Sequence, residues 1–269
     1  MDQLIKNKVY YKIFDLSFKH SSHIYSKKND DPQYLDTIHQ NRTAIINYYN
    51  ATNIVILKQV HGVQIIDADL IGDFTTDLEG DGAITTNHNL VLAIQTADCV
   101  PILLTSSDGN IIGAAHCGWK GSKAGIVASI VTRMQAKGAK DIYAVIGPCI
   151  QQYSYEVNEE FYNHFIKDKA IYEKFFIPSW RATHYMFDLP AYVKLQLQEI
   201  GVKNIHQIVE DTYTTKLNAT TYNNSYILNY DTNITEPRDG KMYKYPSYRR
   251  CCHTGELYNS AILSTIIKR

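Results

Sequence analysis

Short runs of β-branched and other apolar residues, separated by turn residues, occupy much of the first half of the chain. Such runs are typical of strands that are buried on one or both faces. They predict strands over residues 53–60, 83–85, 90–96, 101–105 and 111–115. Because the last two runs flank Ser107–Asn110, a strong turn sequence, they predict a hairpin.

After residue 122 the apolar positions change to helical spacing, recurring at Ile126, Val127, Ile130, Val131 and Met134. Lys137 and Gly138 indicate where this helix ends. A second helix is predicted from the N-cap Asp188 to Gly201. Further predictions are a helix over 256–267, strands over 142–146 and 205–209, an exposed loop over 19–35, and hairpin or loop structure over 215–244.

Strands and helices mix without a regular βαβ alternation. This order favours an α+β fold with mixed sheets over a doubly wound parallel sheet. A chain of 269 residues can bury a substantial core without disulfides. Since neither a repeat nor a Pro/Gly/Ser-rich linker interrupts it, we expect one domain over residues 1–269.

Charge and cysteine content narrow the classes of function. The chain has 27 basic and 27 acidic side chains, so it lacks the basic excess expected of a nucleic-acid or anionic-membrane binder. Its five cysteines are irregularly spaced, which argues against a disulfide framework and for a reducing compartment. The first 16 residues do not form the continuous apolar segment of a signal peptide or a transmembrane span. We therefore expect a cytoplasmic protein.

Three soft-metal donors lie at predicted strand ends beside small residues: His61, Cys99 and His116. Thiolate and imidazole are good zinc ligands, and a catalytic zinc site uses three protein ligands with a fourth position open. Their wide separation in sequence leaves a second interpretation, a buried thiol and two hydrogen-bonded histidines. The pattern therefore indicates a candidate metal centre without deciding between the two.

Candidate anion-binding and acid–base groups lie nearby in sequence. The glycine-flanked segment around Lys120 joins a strand to a helix, where backbone amides favour anions. Arg249 and Arg250 could hold a phosphate or carboxylate, or form surface ion pairs. Asp98, beside Cys99, could orient a histidine or transfer a proton.

Taken together, the motifs resemble a known family. The segments are QVHG at 59–62, QTADCVPILL at 95–104, GAAHCGWKG at 113–121, IGPCI at 146–150 and SYRR at 247–250. They resemble, in order and over nearly the whole chain, the laccase-domain (polyphenol oxidoreductase-like) family, which is associated with purine nucleoside phosphorylase activity. The block 59–121 is the most specific part of the resemblance.

The resemblance implies a mixed α/β sandwich with zinc at His61, Cys99 and His116. From the residues themselves we expect Cys99 and Asp98 to be catalytic. The resemblance also implies phosphorolysis of adenosine, inosine, guanosine and methylthioadenosine, and deamination of adenosine. Copper is the alternative metal. The residues that we expect to bind substrate or phosphate are Lys120, Arg249, Arg250 and Arg42.

Departures from the family pattern keep other functions open. Lys120 and Glu256 stand where arginines are usual, which predicts a weaker grip on phosphate. One alternative is a copper-dependent polyphenol oxidase, although the chain has no His-x-His pair. The others are a cysteine- or metal-dependent amide hydrolase editing cell-wall precursors and a nucleoside-binding protein that has lost turnover.

Overall fold

In the part of the chain that the structure describes, the fold consists of two large mixed sheets, a smaller three-stranded sheet and six α-helices. The computed structural model describes residues 2–5, 8–14, 32–72, 78–216, 243–254 and 261–269. The helices are α1 Pro32–Tyr49, α2 Trp119–Ala124, α3 Ile126–Ala136, α4 Glu159–Ile166, α5 Leu189–Glu199 and α6 Tyr248–Thr254. The strands are β1 Asp2–Ile5, β2 Val9–Phe14, β3 Asn53–Ile56, β4 Ile65–Asp67, β5 Gly82–Thr85, β6 Leu90–Thr96, β7 Val100–Ser106, β8 Ile112–Cys117, β9 Ile142–Ile146, β10 Glu156–Asn158, β11 Phe176–Pro178, β12 His184–Phe187, β13 Asn204–Gln207 and β14 Ile262–Lys268.

The two large sheets pack face to face. One has five strands in the order β1-β2-β14-β6-β3, and the other has six in the order β13-β9-β7-β8-β5-β4. A third, three-stranded sheet has the order β10-β12-β11. Buried side chains from the facing strands, such as Val55, Leu92, Leu103, Ala114 and Ile266, form the core between the large sheets.

Helices cover the outer faces of both large sheets, so the fold has four layers. On one side Ile45 and Tyr49 of α1 pack against Ile54 and Val91. On the other side α3 and α5 pack against strand residues such as Ile102. Because both faces of the central strands are covered, their sequences are continuous apolar runs rather than alternating ones.

The expected α+β class with mixed sheets is confirmed, as are the β5, β6, β7, β8 and β9 strands, the hairpin, and the helix beginning after Asp188. The helix predicted from residue 122 ends at Lys137 as expected, but it is two helices divided at Gly125, whose φ is +102°. The strands predicted over 53–60 and 205–209 occupy Asn53–Ile56 and Asn204–Gln207.

One prediction near the C-terminus is wrong, and the prediction for residues 19–35 differs from the structure only where the two overlap. The helix predicted over 256–267 is a strand from Ile262, since β14 lies between β2 and β6 and is buried on both faces; residues 255–260 lie outside the described residues. The loop predicted over 19–35 overlaps the start of α1 at Pro32, and its remainder lies outside the described residues, as does 217–242. In the described part of the chain, no helix is long and apolar enough to cross a membrane.

Candidate metal centre

The fold brings His61, Cys99 and His116 together. Their ligand atoms all lie within 4.8 Å of one another, and the Cys99 Sγ atom is 3.9 Å from His61 Nε2. Cys99 directly precedes β7, and His116 pairs with Pro101 across the β7–β8 ladder. His61 reaches the same point from the loop after β3. Strand pairing therefore fixes two of the three donors, and the loop conformation fixes the third.

Close backbone packing shapes the centre. A Cβ atom added at Gly118 would lie 2.8 Å from His61 Cδ2 and 3.2 Å from Cys99 Sγ. One added at Gly121 would lie 2.8 Å from the carbonyl oxygen of Gly62. Gly118 and Gly121 therefore leave the space in which the loop carrying His61 rests directly on the turn into α2.

Two residues at the centre adopt the left-handed conformation that side chains other than glycine rarely take. His61 has φ = +62° and Asp98 has φ = +86°. Such backbone persists only where the surroundings hold it, and it concentrates at functional sites. Both residues are indeed held by several hydrogen bonds.

Asp81, which the sequence analysis does not identify as a site residue, forms hydrogen bonds with the His61 backbone and the His116 ring. Its fully buried carboxylate accepts hydrogen bonds from the backbone amides of Val60, His61 and Gly62 at 3.2, 2.9 and 2.7 Å. It also lies 2.8 Å from His116 Nδ1. Burial raises the pKa of Asp81, but the hydrogen bonds from His116 and these amides outweigh it, so the pKa is lowered. The sequence signal was a carboxylate within the Glu79–Gly82 turn.

Gln59 anchors the loop carrying His61 to the end of β6. Its amide nitrogen donates to the Gln95 carbonyl at 2.7 Å, and its amide oxygen accepts from the Gln95 backbone N–H at 2.9 Å. This side chain continues the pairing of β3 with β6 after β3 has ended. The loop therefore leaves the sheet at a defined point.

The histidines favour the thiolate form of Cys99. Burial raises the pKa of the Cys99 thiol, but His116 and His61 outweigh burial and bring it to about 7. Burial lowers the pKa of His116, and the neighbouring Cys99 and Asp81 outweigh burial and raise it. Cys149, by contrast, is a buried thiol whose pKa is raised by desolvation. Cys99 is therefore chemically distinct as a soft donor.

The donor set fits a three-ligand zinc or copper site. In a tetrahedral zinc site the nitrogen and sulfur ligands are separated by roughly 3.5 Å, close to the 3.9 Å between Cys99 and His61. The Nδ1 atom of His116 faces a carboxylate, as in histidines that ligate metal through the other nitrogen. The residues present therefore suit the metal that the resemblance implies.

A pocket of about 390 Å³ lies beside the triad and is lined by His61, Asp98 and Cys99. Lys120 and Arg249 are its cationic lining residues. The remaining lining residues are Val60, Ala97, Trp119, Ile150, Tyr155, Leu189 and Tyr248. The pocket thus combines apolar and aromatic walls with two cations next to the donors, which suits a flat, partly apolar ligand bearing an anionic group.

Asp98 organises the part of the pocket that carries Arg249. Its carboxylate accepts hydrogen bonds from Thr212 Oγ1 at 2.7 Å, Ser247 Oγ at 3.0 Å and the Arg249 backbone N–H at 2.8 Å. The Arg249 guanidinium lies 4.9 Å from the centre of the Tyr155 ring. Asp98 therefore holds the backbone of Arg249 in place, and the proton transfer predicted for it from the sequence stays a prediction.

Two predicted phosphate-binding residues lie outside the described pocket lining. The buried Arg250 guanidinium donates to the carbonyl oxygens of Thr212, Tyr213 and Tyr245 at 2.8–2.9 Å. These contacts tie Arg250 to the backbone around it, and its contact with phosphate stays a prediction. Arg42 lies on α1, which packs on the outer face of the five-stranded sheet.

The fold and the centre together define a class of protein: a mixed α/β sandwich with a His–Cys–His cluster beside a small pocket. Residues 16–223 match the family described as multi-copper polyphenol oxidoreductase laccase, and the chain belongs to this family. The resemblance predicted from the motifs is therefore confirmed.

Relatives with assigned names extend over the whole chain. A purine nucleoside phosphorylase of Rickettsia conorii is 48% identical over 269 residues, which is 100% of both chains. One of Rickettsia prowazekii is 47% identical over 99% of both chains.

Solved structures show the same fold. A Neisseria meningitidis protein of the DUF152 family has a TM-score of 0.71 at 19% identity, covering 99% of this chain and 97% of that one. YlmD from Geobacillus stearothermophilus has a TM-score of 0.66 at 23% identity, covering 97% and 92%. At these identities the likeness concerns the fold alone.

Proposed function

We propose that this chain is a metal-dependent purine nucleoside phosphorylase that acts on adenosine, inosine, guanosine and methylthioadenosine and also deaminates adenosine. The observation that carries the proposal is the meeting of His61, Cys99 and His116 at a pocket whose lining includes two cations. Relatives named purine nucleoside phosphorylase, nearly half identical over the full length, support it.

One set of residues would bind the metal and another would bind phosphate. His61, Cys99 and His116 would hold zinc, with copper as the alternative, and the bound metal would supply Lewis-acid polarisation of a substrate atom. Arg249 and Lys120 would bind phosphate, since their charges line the same pocket. The aromatic side chains of Trp119 and Tyr155 offer flat surfaces for a purine.

In phosphorolysis a phosphate oxygen forms a bond to the ribose C1′ carbon while the bond from C1′ to the purine nitrogen breaks. The purine leaves with the bonding electrons and takes up a proton, which yields free base and ribose 1-phosphate. Arg249 and Lys120 favour this step by holding the dianionic hydrogen phosphate beside the sugar, and the proton that hydrogen phosphate loses balances the one that the purine takes up. The pocket walls restrict water. Asp98 contributes by holding Arg249 in place.

The deciding experiment is chromatography of zinc-loaded protein incubated with adenosine, with and without phosphate. We expect adenine and ribose 1-phosphate only with phosphate, and inosine in either tube as the product of deamination. Cys99→Ala should abolish both reactions. His88→Ala, which removes an exposed histidine between β5 and β6, should leave both unchanged.

Other outcomes would redirect the assignment. Folded, zinc-loaded protein that leaves adenosine intact would refute the proposal. Calorimetric binding of adenosine without turnover would then indicate a nucleoside-binding protein. Oxidation of a phenol by copper-loaded protein would instead indicate the oxidase that the family description names. Release of an amine from a cell-wall peptide would indicate the amide hydrolase.

A further inference from the structure

We propose that Asp81 is the positioning residue that presets both histidine ligands for the metal, through one carboxylate. The inference rests on the metal centre of the proposed function and not on the reaction catalysed there. Asp81 itself lies outside the donor cluster. It contacts His61 through the backbone and His116 through the ring.

The first half of this role concerns the loop conformation. Three consecutive amides, those of Val60, His61 and Gly62, converge on the Asp81 carboxylate. This convergence holds His61 at φ = +62°, a conformation that a histidine rarely adopts unaided. Without an acceptor at this point three amides would lose their partner, and the loop would relax toward extended backbone. The His61 ring would then leave the cluster.

The second half concerns the ring of His116. Its Nδ1 atom lies 2.8 Å from Asp81 Oδ1, and its backbone N–H donates to the Asp81 carbonyl oxygen at 2.7 Å. The ring and the main chain are thus fixed to the same residue. A proton held on Nδ1 leaves Nε2 as the ligand atom, which is how a carboxylate selects the metal-binding nitrogen of a histidine.

The test is zinc affinity of the full-length protein, measured by competition with a chromophoric chelator and with no nucleoside present. Asp81→Asn keeps the size of the side chain but replaces one acceptor oxygen with an NH₂ group that faces donors. We expect zinc to bind roughly 10–100-fold more weakly. Unchanged zinc affinity in a folded Asp81→Asn protein would overturn the proposal, even if the protein unfolds at a lower temperature.

Asp69 provides a matched control. Its carboxylate also accepts several hydrogen bonds, from Thr85, Thr86 and Lys137, but none of these partners belongs to the donor cluster. Asp69→Asn should lower the thermal midpoint and leave zinc affinity unchanged. An equal loss of zinc affinity in both variants would show a general effect of stability and would overturn the proposal.

A measurement on the wild-type protein covers the case in which Asp81→Asn does not fold. In zinc-loaded protein, ¹⁵N NMR should find the His116 proton on Nδ1 and the metal on Nε2. The reverse assignment, or a wild-type protein that binds no zinc, would overturn the proposal. A protein that binds zinc as expected but does not cleave nucleosides would instead count only against the proposed function.

Discussion

Adding one methyl group at Gly118 should weaken metal binding while leaving the fold intact. The added Cβ would lie 2.8 Å from His61 Cδ2, so the ring must retreat by about 0.6 Å to reach an ordinary contact of 3.4 Å. The same methyl group would lie 3.2 Å from Cys99 Sγ. Because Asp81 ties the His61 backbone, the ring has to rotate rather than move with the loop.

The loss of zinc affinity can be estimated by comparing the strain in the metal-free and the metal-bound protein. In the metal-free protein the His61 ring can rotate away from the methyl group at little cost, but a bound metal fixes the ring. Overpacking of this kind costs about 1–3 kcal/mol, which corresponds to roughly 5–150-fold weaker zinc binding in Gly118→Ala. The thermal midpoint of the metal-free variant should stay close to that of the wild type.

The assay is a chelator competition titration with zinc, together with thermal unfolding of the metal-free protein. Gly72→Ala is the matched control, since a Cβ at Gly72 meets nothing within 4 Å. The reasoning is refuted if Gly118→Ala binds zinc as tightly as the wild type. It is also refuted if Gly72→Ala loses as much affinity.

Two further predictions concern stability and phosphate. Burial raises the pKa of Asp69, but hydrogen bonds from Lys137, Thr85 and Thr86 outweigh it and hold the pKa well below its usual range. Such a group stabilises the fold above its unfolded pKa of about 3.9 and loses this effect as the pH falls. Asp69→Asn should therefore lower the free energy of unfolding by about 1.5–3 kcal/mol at pH 7. Denaturant titrations should show this difference from the wild type shrinking below pH 4, and a difference that stays constant with pH would contradict the reasoning. Arg249→Ala should raise the KM for phosphate about tenfold or more, and Asp98→Asn should raise the same KM. A change in Asp98→Asn that is confined to kcat would instead support the predicted proton transfer by Asp98.

The sequence predicted the central strands because each carries its own local signal. The hairpin around Ser107–Asn110 has a strong turn between apolar runs, and β6 and β7 each begin with five consecutive apolar residues. The same logic failed for β14. Ile262, Leu263, Ile266 and Ile267 fit helical spacing equally well, and only the pairing with β2 and β6 decides for a strand. Burial on both faces removes the alternation that would have distinguished the two.

The candidate centre was predictable from its donors but not from their supports. His61, Cys99 and His116 are recognisable because thiolate and imidazole are unusual beside small residues at strand ends. Asp81 is indistinguishable in the sequence from an ordinary residue of the Glu79–Gly82 turn. Its role depends on hydrogen bonds from amides that are about 20 positions away, which the local sequence does not indicate. Arg250 shows the opposite ambiguity, because a guanidinium that binds backbone carbonyls has the same sequence signature as one that binds phosphate.

The metal and anion parts of the site rest on two separate hydrogen-bond networks that meet at one peptide bond. Asp81 supports the histidines, whereas Asp98 supports Arg249 through the backbone N–H. The networks join because Asp98, which has φ = +86° and a carboxylate that accepts three hydrogen bonds, directly precedes Cys99. The replacement of arginine by Lys120 falls on an exposed position outside both networks. It can therefore weaken the grip on phosphate while leaving the donors in place, which is why metal affinity and phosphate affinity should be separable by mutation in this chain.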